Sequence, residues 1–204
     1  MTYLGEGGQI PYLRKEDIVK EAEDLLGECW DGSFPVDVEA ICDSLNIDIM
    51  PVYGLSKDLG IDAFISADFK TIHVDLTEFE KGSHRYRFSI AHELGHYVLH
   101  KKYCPANAAD LNEWFESFRK FTNNYAEFQA NYFAGSLLVP EKELIRVLND
   151  AFDSSFVRNY WNASSAELSR ILTRVRKHFM VSDIVIARRM RDAFPGVEEQ
   201  NAYK

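Results

Sequence analysis

The sequence predicts an α+β domain with more helix than strand. Seven stretches place apolar residues at helical spacing, whereas strand character is confined to 47–53 and 61–75. No apolar run approaches the roughly 20 residues of a membrane span, so no membrane partner is expected. The chain has 204 residues, 46% of them hydrophobic and 27% charged. That length suffices to bury a real core as a single domain over 1–204. No internal repeat, low-complexity tract or linker interrupts it.

Residues 1–14 read as an irregular arm. The opening "MTYLGEGGQIPYLRKED" has no basic segment followed by an apolar one, so no signal peptide is expected. In "KEDIVKEAEDLLGECW" (15–30), Ile18, Ala22, Leu25, Leu26 and Cys29 share a helix face, and "DGSFP" breaks it. A second short helix over 36–46 rests on Val38, Ile41, Cys42 and Leu45. "IDIMPVY" then reads as a strand and "GLSKDLG" as a turn-rich loop. "AFIS" and "TIHVD" flank the polar turn "ADFK", a β-hairpin within 61–75.

Ser83 caps a helix that reaches about Lys101. Residues 103–122 form a less regular connection with a short helix around "DLNEWFESFRKF". A helix from Tyr125 to about Leu138 is closed by Pro140, which also opens the next, "PEKELIRVLNDAF". Ser164 and Glu167 make a capping box for "SSAELSRILTRVRKHF", and Ser182 caps a last helix, "MVSDIVIARRMRDAF".

Charge is unevenly spread. Residues 1–80 carry 18 acidic and 5 basic side chains, a net of −13; the whole chain is −9, so 81–204 hold +4. A pI near 5.2 argues against gripping nucleic acid over the whole surface, while leaving room for a local basic patch. Cys29, Cys42 and Cys104 are odd in number and form no CxxC pair. They read as free, buried thiols in a reducing cytoplasm.

The chemistry concentrates in "RFSIAHELGHYVLH", 87–100. Phe88, Ile90, Ala91, Leu94, Val98 and Leu99 surround His92, Glu93 and His96. Burying unpaired polar groups costs roughly 2–7 kcal/mol each in an apolar setting, and a metal ion is the most economical compensation. His92-Glu93-Leu94-Gly95-His96 is an HExxH pattern, which on a helix sets both imidazoles on one face, a turn apart. Zinc accepts such nitrogens at about 2.0–2.1 Å, with three protein ligands in catalytic sites. Glu93, off the histidine ray, can lean over the open position as a proton acceptor. Gly95 lets another backbone come close.

A third ligand is needed. His100 continues the column, but eight residues at 1.5 Å rise put it about 12 Å along the axis from His92, too far for a shared shell. It reads as a polar end-of-helix residue. Lys102 stands where a metzincin would carry its third histidine. The better candidate is Glu127 in "AEFQANYFAG", an i,i+4 partner of Asn131. Ala130 and Ala134 keep that face flat for close packing, and Asn131 can hydrogen-bond a ligand histidine.

These stretches, with "EFQANYFAGSLLVP" and more weakly "FMVSDIVIARRM", resemble the three blocks of the ImmA/IrrE family of metallopeptidases. "DVEAICDSLNIDI" and the 61–75 hairpin are similar to that family's upstream portion, so the likeness covers roughly 36–192. The resemblance implies a zincin-like fold, mainly helical, with a small antiparallel sheet next to the HExxH helix. It implies one catalytic Zn2+ held by His92, His96 and Glu127, with Glu93 catalytic. It implies an intracellular, cytoplasmic endopeptidase that hydrolyses a peptide bond in a regulatory protein, a helix-turn-helix repressor of phage or mobile-element type. Related zinc peptidases commonly carry an acidic residue where Asn131 stands, a change that makes the ligand histidine less basic. The C-terminal sensory domain that some relatives carry is not expected here.

Strand addition to an exposed hairpin edge, "TIHVD", would hold an extended substrate. Several tyrosines and His178 compete as oxyanion donor, and His73 reads as a strand surface residue. Two alternatives remain. One is a zinc-containing domain that binds a regulator without cutting it. The other is a regulator that binds DNA or a transcription factor through 165–192. There Arg170, Arg174, Arg176, Lys177, Arg188, Arg189 and Arg191 face three acidic residues, and two capped helices could mimic a helix-turn-helix.

Overall fold

A computed structural model describes residues 10–104, 124–151 and 164–195. Helix α1 (Lys15–Cys29) and α2 (Val38–Ser44) precede strands β1 (Asp48–Val52), β2 (Ala63–Ile65) and β3 (Thr71–Asp75). Then follow α3 (Leu76–Lys81), α4 (His84–His100), α5 (Asn124–Leu138), α6 (Glu141–Ala151), α7 (Ser165–Phe179) and α8 (Asp183–Ala193). The architecture is α+β, as the sequence predicts. The short helix expected around 110–121 lies outside the described residues. The turn-rich loop expected at 54–60 holds a wide helical turn over Leu55–Leu59; helix α3 was not anticipated.

Local chemistry sets the helix starts. Asp37 Oδ1 accepts from the backbone N–H groups of Glu39 and Ala40, and the Ser83 hydroxyl accepts from Tyr86. The Ser164–Glu167 capping box forms. Ser182 precedes α8 as expected, but its hydroxyl makes no cap bond.

The sheet order is β1-β3-β2. β2 and β3 form the expected antiparallel hairpin, with Phe64 opposite His73. β1 joins on the other side of β3 in parallel, with Met50 beside His73, which makes the sheet mixed. Hence "TIHVD" is the central strand, hydrogen-bonded on both sides, and the expectation of a free edge there is corrected: the edges are β1 and β2. His73 is likewise buried rather than on the surface, its ring stacked on Phe64 at 4.7 Å.

Asp75 ends β3 and ties two segments together. Its Oδ2 accepts from the Ser56 backbone and its Oδ1 from Thr77. These bonds, Ser56 first, hold its carboxyl below the usual carboxylate value. The 55–59 turn that Asp75 anchors is bracketed by Gly54 and Gly60, both left-handed (φ 84° and 69°), a conformation glycine adopts without penalty.

The core fills the space where α4 meets the sheet, α1 and α5. Ile18 and Ala22 of α1, Ile90 and Leu94 of α4, Ile65 and Ile72 of the sheet, and Phe133 and Leu137 of α5 are all inaccessible to solvent. Cys42 and Cys104 are buried free thiols, while Cys29 is half-buried. Among the described residues no helix is long and apolar enough to cross a membrane.

Candidate metal centre

Helices α4 and α5 cross at Gly95. A Cβ built there would lie 3.0 Å from Ala130 Cα, 3.1 Å from Ala130 O and 3.3 Å from Phe133 Cβ. No side chain larger than hydrogen fits without moving α5. That approach carries Glu127, three residues before Ala130, to the two histidines of α4.

The result is a compact triangle of donor atoms. His92 Nε2 and His96 Nε2 lie 3.1 Å apart, Glu127 Oε2 is 3.4 Å from His92 Nε2, and Glu127 Oε1 is 3.6 Å from His96 Nε2. A tetrahedral ion with ligands at 2.0–2.1 Å has ligand–ligand edges of about 3.3–3.4 Å. The three edges bracket that figure, and two imidazoles plus one carboxylate are a donor set that zinc accepts. The residues present therefore fit a divalent cation. Among the described residues this is the one such His/Cys/Asp/Glu group.

The histidines differ in their surroundings. His96 is buried and its Nδ1 lies 2.9 Å from His100 Nδ1. His100 Nε2 is 2.9 Å from Gln129 Oε1, and Gln129 Nε2 donates to the Pro11 carbonyl at 2.9 Å. A carbonyl only accepts, so the chain of bonds has one polarity. Gln129 gives its N–H to Pro11, His100 gives Nε2–H to Gln129, and His96 gives Nδ1–H to His100. The lone pair of His96 Nε2 is thereby left facing the triangle. His100 and Gln129 are 0% and 1% exposed. The reading of His100 as a helix-end polar residue missed this, although its place in the 92/96/100 column was the available signal.

His92, on the cleft side, lies near Glu127 and Asn131. Burial lowers its pKa, but hydrogen bonding to Glu127, the charges of Glu93 and Glu127, and a hydrogen bond with Asn131 outweigh that and raise it. Asn131 Nδ2 also donates to the Glu127 backbone carbonyl at 2.7 Å. Burial, then the charges of His92 and His100, hold His96 well below the usual histidine value and so neutral.

Glu93 is buried, and burial pushes its carboxyl up to about 7. The charge of His92 and the Ile65 backbone N–H act against that rise; the charge of Glu127 adds to it. Glu93 Oε2 has no hydrogen-bond partner among the described residues. A dication between the histidines would favour the ionised form.

These groups line a cleft of about 400 Å³. One wall is α4 (Phe88, Ser89), one is α5, and the third is the chain from Leu59 into edge strand β2 at Phe64. None of the described tyrosines, nor His178, is among its lining residues. His178 is instead 2.7 Å from Glu143 Oε1 and packed on Phe34.

An HExxH helix crossed by a glutamate-bearing helix, beside a cleft edged by a β-strand, has the make-up of a metallopeptidase centre. Comparison with known proteins agrees. The family model described as the IrrE N-terminal-like domain, a peptidase family, matches residues 57–191, and the chain belongs to that family. Metallopeptidase ImmA of Bacillus subtilis (strain 168) is 29% identical over 120 residues, which cover 58% of this chain and 67% of the relative.

Proposed function

We propose that the chain is an intracellular, cytoplasmic zinc endopeptidase that cleaves a regulatory protein, a helix-turn-helix repressor, with His92, His96 and Glu127 as metal ligands and Glu93 as catalytic residue. The donor triangle of 3.1, 3.4 and 3.6 Å carries this reading, with Glu93 Oε2 in the same cleft and without a hydrogen-bond partner among the described residues. The repressor as substrate rests on the family resemblance. Zinc, when bound, supplies Lewis-acid polarisation of the scissile carbonyl and a water of lowered pKa.

The chain's own residues do the rest. Glu93 takes a proton from the attacking water and delivers it to the leaving amine. Burial favours its protonated form, which delivers the proton, and a bound dication would favour the ionised form that accepts it. β2, the edge strand along the cleft, is where an extended substrate would add as a further strand. Asn131 steadies the Glu127 segment through its backbone bond.

The test is incubation of the zinc-loaded chain with any helix-turn-helix protein encoded beside it, with mass spectrometry of the products. A single cut that disappears in Glu93→Gln, with metal content unchanged, is the expected result. Cleavage that persists in Glu93→Gln contradicts the assignment.

A further inference from the structure

The cleft does not end at Asn131. Phe88 and Asn131 also line a second hollow of about 420 Å³ between α5 and α8. Four cations border it, Lys15, Arg188, Arg189 and Arg191, against the one carboxylate of Asp192. That local charge of +3 stands in a chain whose net charge is −9.

Lys15 Nζ is paired with Asp192 Oδ1 at 2.7 Å. Arg189 is only 3% exposed; its Nε donates to the Val139 carbonyl at 3.1 Å. Its Nη1 has no hydrogen-bond partner among the described residues, and the Asp192 carboxylate stays 4.0 Å away. A buried guanidinium N–H without an acceptor is costly. Arg188 is exposed at the mouth and has no ion pair among the described residues. The rim opposite is apolar: Phe128 is 46% exposed and stacks on Tyr132.

We propose that this hollow is a specificity subsite for an acidic side chain of the polypeptide bound in the cleft. The proposal rests on the endopeptidase reading and adds to it a substrate class. The two cavities have Phe88 and Asn131 in common, so a peptide passing His92 and Asn131 lies next to the hollow. There a Glu or Asp carboxylate meets the planar donors of exposed Arg188, with the buried charge of Arg189 behind them, geometry that arginine serves better than lysine. A concave site with an aromatic rim suits one side chain. Duplex DNA would need its cations displayed as an open stripe along the backbone path.

The test uses the full chain, metal-free so that nothing is cut. Two fluorescein-labelled, acetylated decapeptides are titrated at low salt, one with three Glu and one with Gln in their place. The Glu peptide is expected to bind at least about fivefold tighter. Arg188→Glu should abolish that difference, while Arg170→Glu, on exposed α7, should leave it intact. Equal binding of the two peptides, or a preference that survives Arg188→Glu, overturns the proposal. So does a 20-base-pair duplex that displaces the peptide with a steep salt slope flattened equally by both variants, since that marks a nucleic-acid face.

A cleavage arm separates the two readings. A proteome-derived peptide digest is treated with the zinc-loaded chain, and acidic residues are expected at one fixed distance from the cuts. Cuts without that enrichment sink the subsite alone. A complete lack of cuts sinks the endopeptidase reading, with the binding comparison still deciding what the hollow holds.

Discussion

Two mid-helix glycines stand at two faces of α5, and they do different things. Gly95 of α4 faces Ala130 so closely that an added Cβ would sit 3.0 Å from backbone; at Gly135 the nearest atom is Arg189 Cδ at 3.5 Å, an ordinary contact. Helix propensity alone favours alanine at both, by about 0.8–1 kcal/mol. On the α4 side the backbone separation is the functional quantity, because it sets where Glu127 meets the histidines. On the α8 side flexible side chains line a hollow, and the backbone has room. The lesson is that a metal triangle is built by main-chain approach, whereas a charged pocket is built by side chains over a tolerant frame.

The largest expected effect tests whether the tight crossing does chemistry at all. Glu93→Gln should lower kcat by roughly 10²–10⁴-fold, the usual range for losing a general acid–base, with metal stoichiometry by atomic absorption unchanged. Next, Gly95→Ala should destabilise the chain by about 1–3 kcal/mol through overpacking, despite its better helix propensity. Denaturant titration measures that loss, and weakened metal binding should accompany it.

The bond chain behind His96 is the next target. His100→Phe, which keeps a ring but removes both nitrogens, should weaken metal affinity by roughly 10–100-fold. Gln129→Glu keeps the acceptor for His100 but loses the donor to Pro11, so a smaller loss is expected. Competition with a calibrated chelator reads both.

How far these features were readable in the sequence follows from whether they are local. HExxH spacing fixes two imidazoles on one face of any helix, so that pair needed no tertiary knowledge. Glu127 was expected beside that pair because a small-residue face, Ala130 and Ala134, signals close packing, and it lies there. His100 was in view and misread, since its partners Gln129 and Pro11 come from distant segments. For the same reason the strands were found but not their order. A hairpin predicts β2 beside β3, yet nothing in "IDIMPVY" says that it pairs with β3 and turns "TIHVD" into a central strand.

A moderate effect tests the cleft wall. Asp75→Ala removes two backbone bonds from a buried carboxylate, which should cost about 1–3 kcal/mol. The pH dependence has a definite sign. Because the folded carboxyl titrates below its ordinary value, its contribution is present above about pH 4 and fades as pH falls through the folded pKa. Wild type and variant should therefore converge in stability in acid and diverge above pH 4. The smallest effect belongs to the other glycine. Gly135→Ala should change stability by less than about 1 kcal/mol, in the stabilising direction, and leave metal binding alone; a loss like that of Gly95→Ala would erase the contrast between the two faces.

The most direct test of the centre is X-ray absorption at the zinc edge on protein purified without added metal. One zinc per chain is expected, with a shell of two imidazole nitrogens and carboxylate oxygen at about 2.0–2.1 Å, lost in His92→Ala and altered in Glu127→Gln. Protein that holds no stoichiometric zinc, or a shell untouched by Glu127→Gln, would contradict the account.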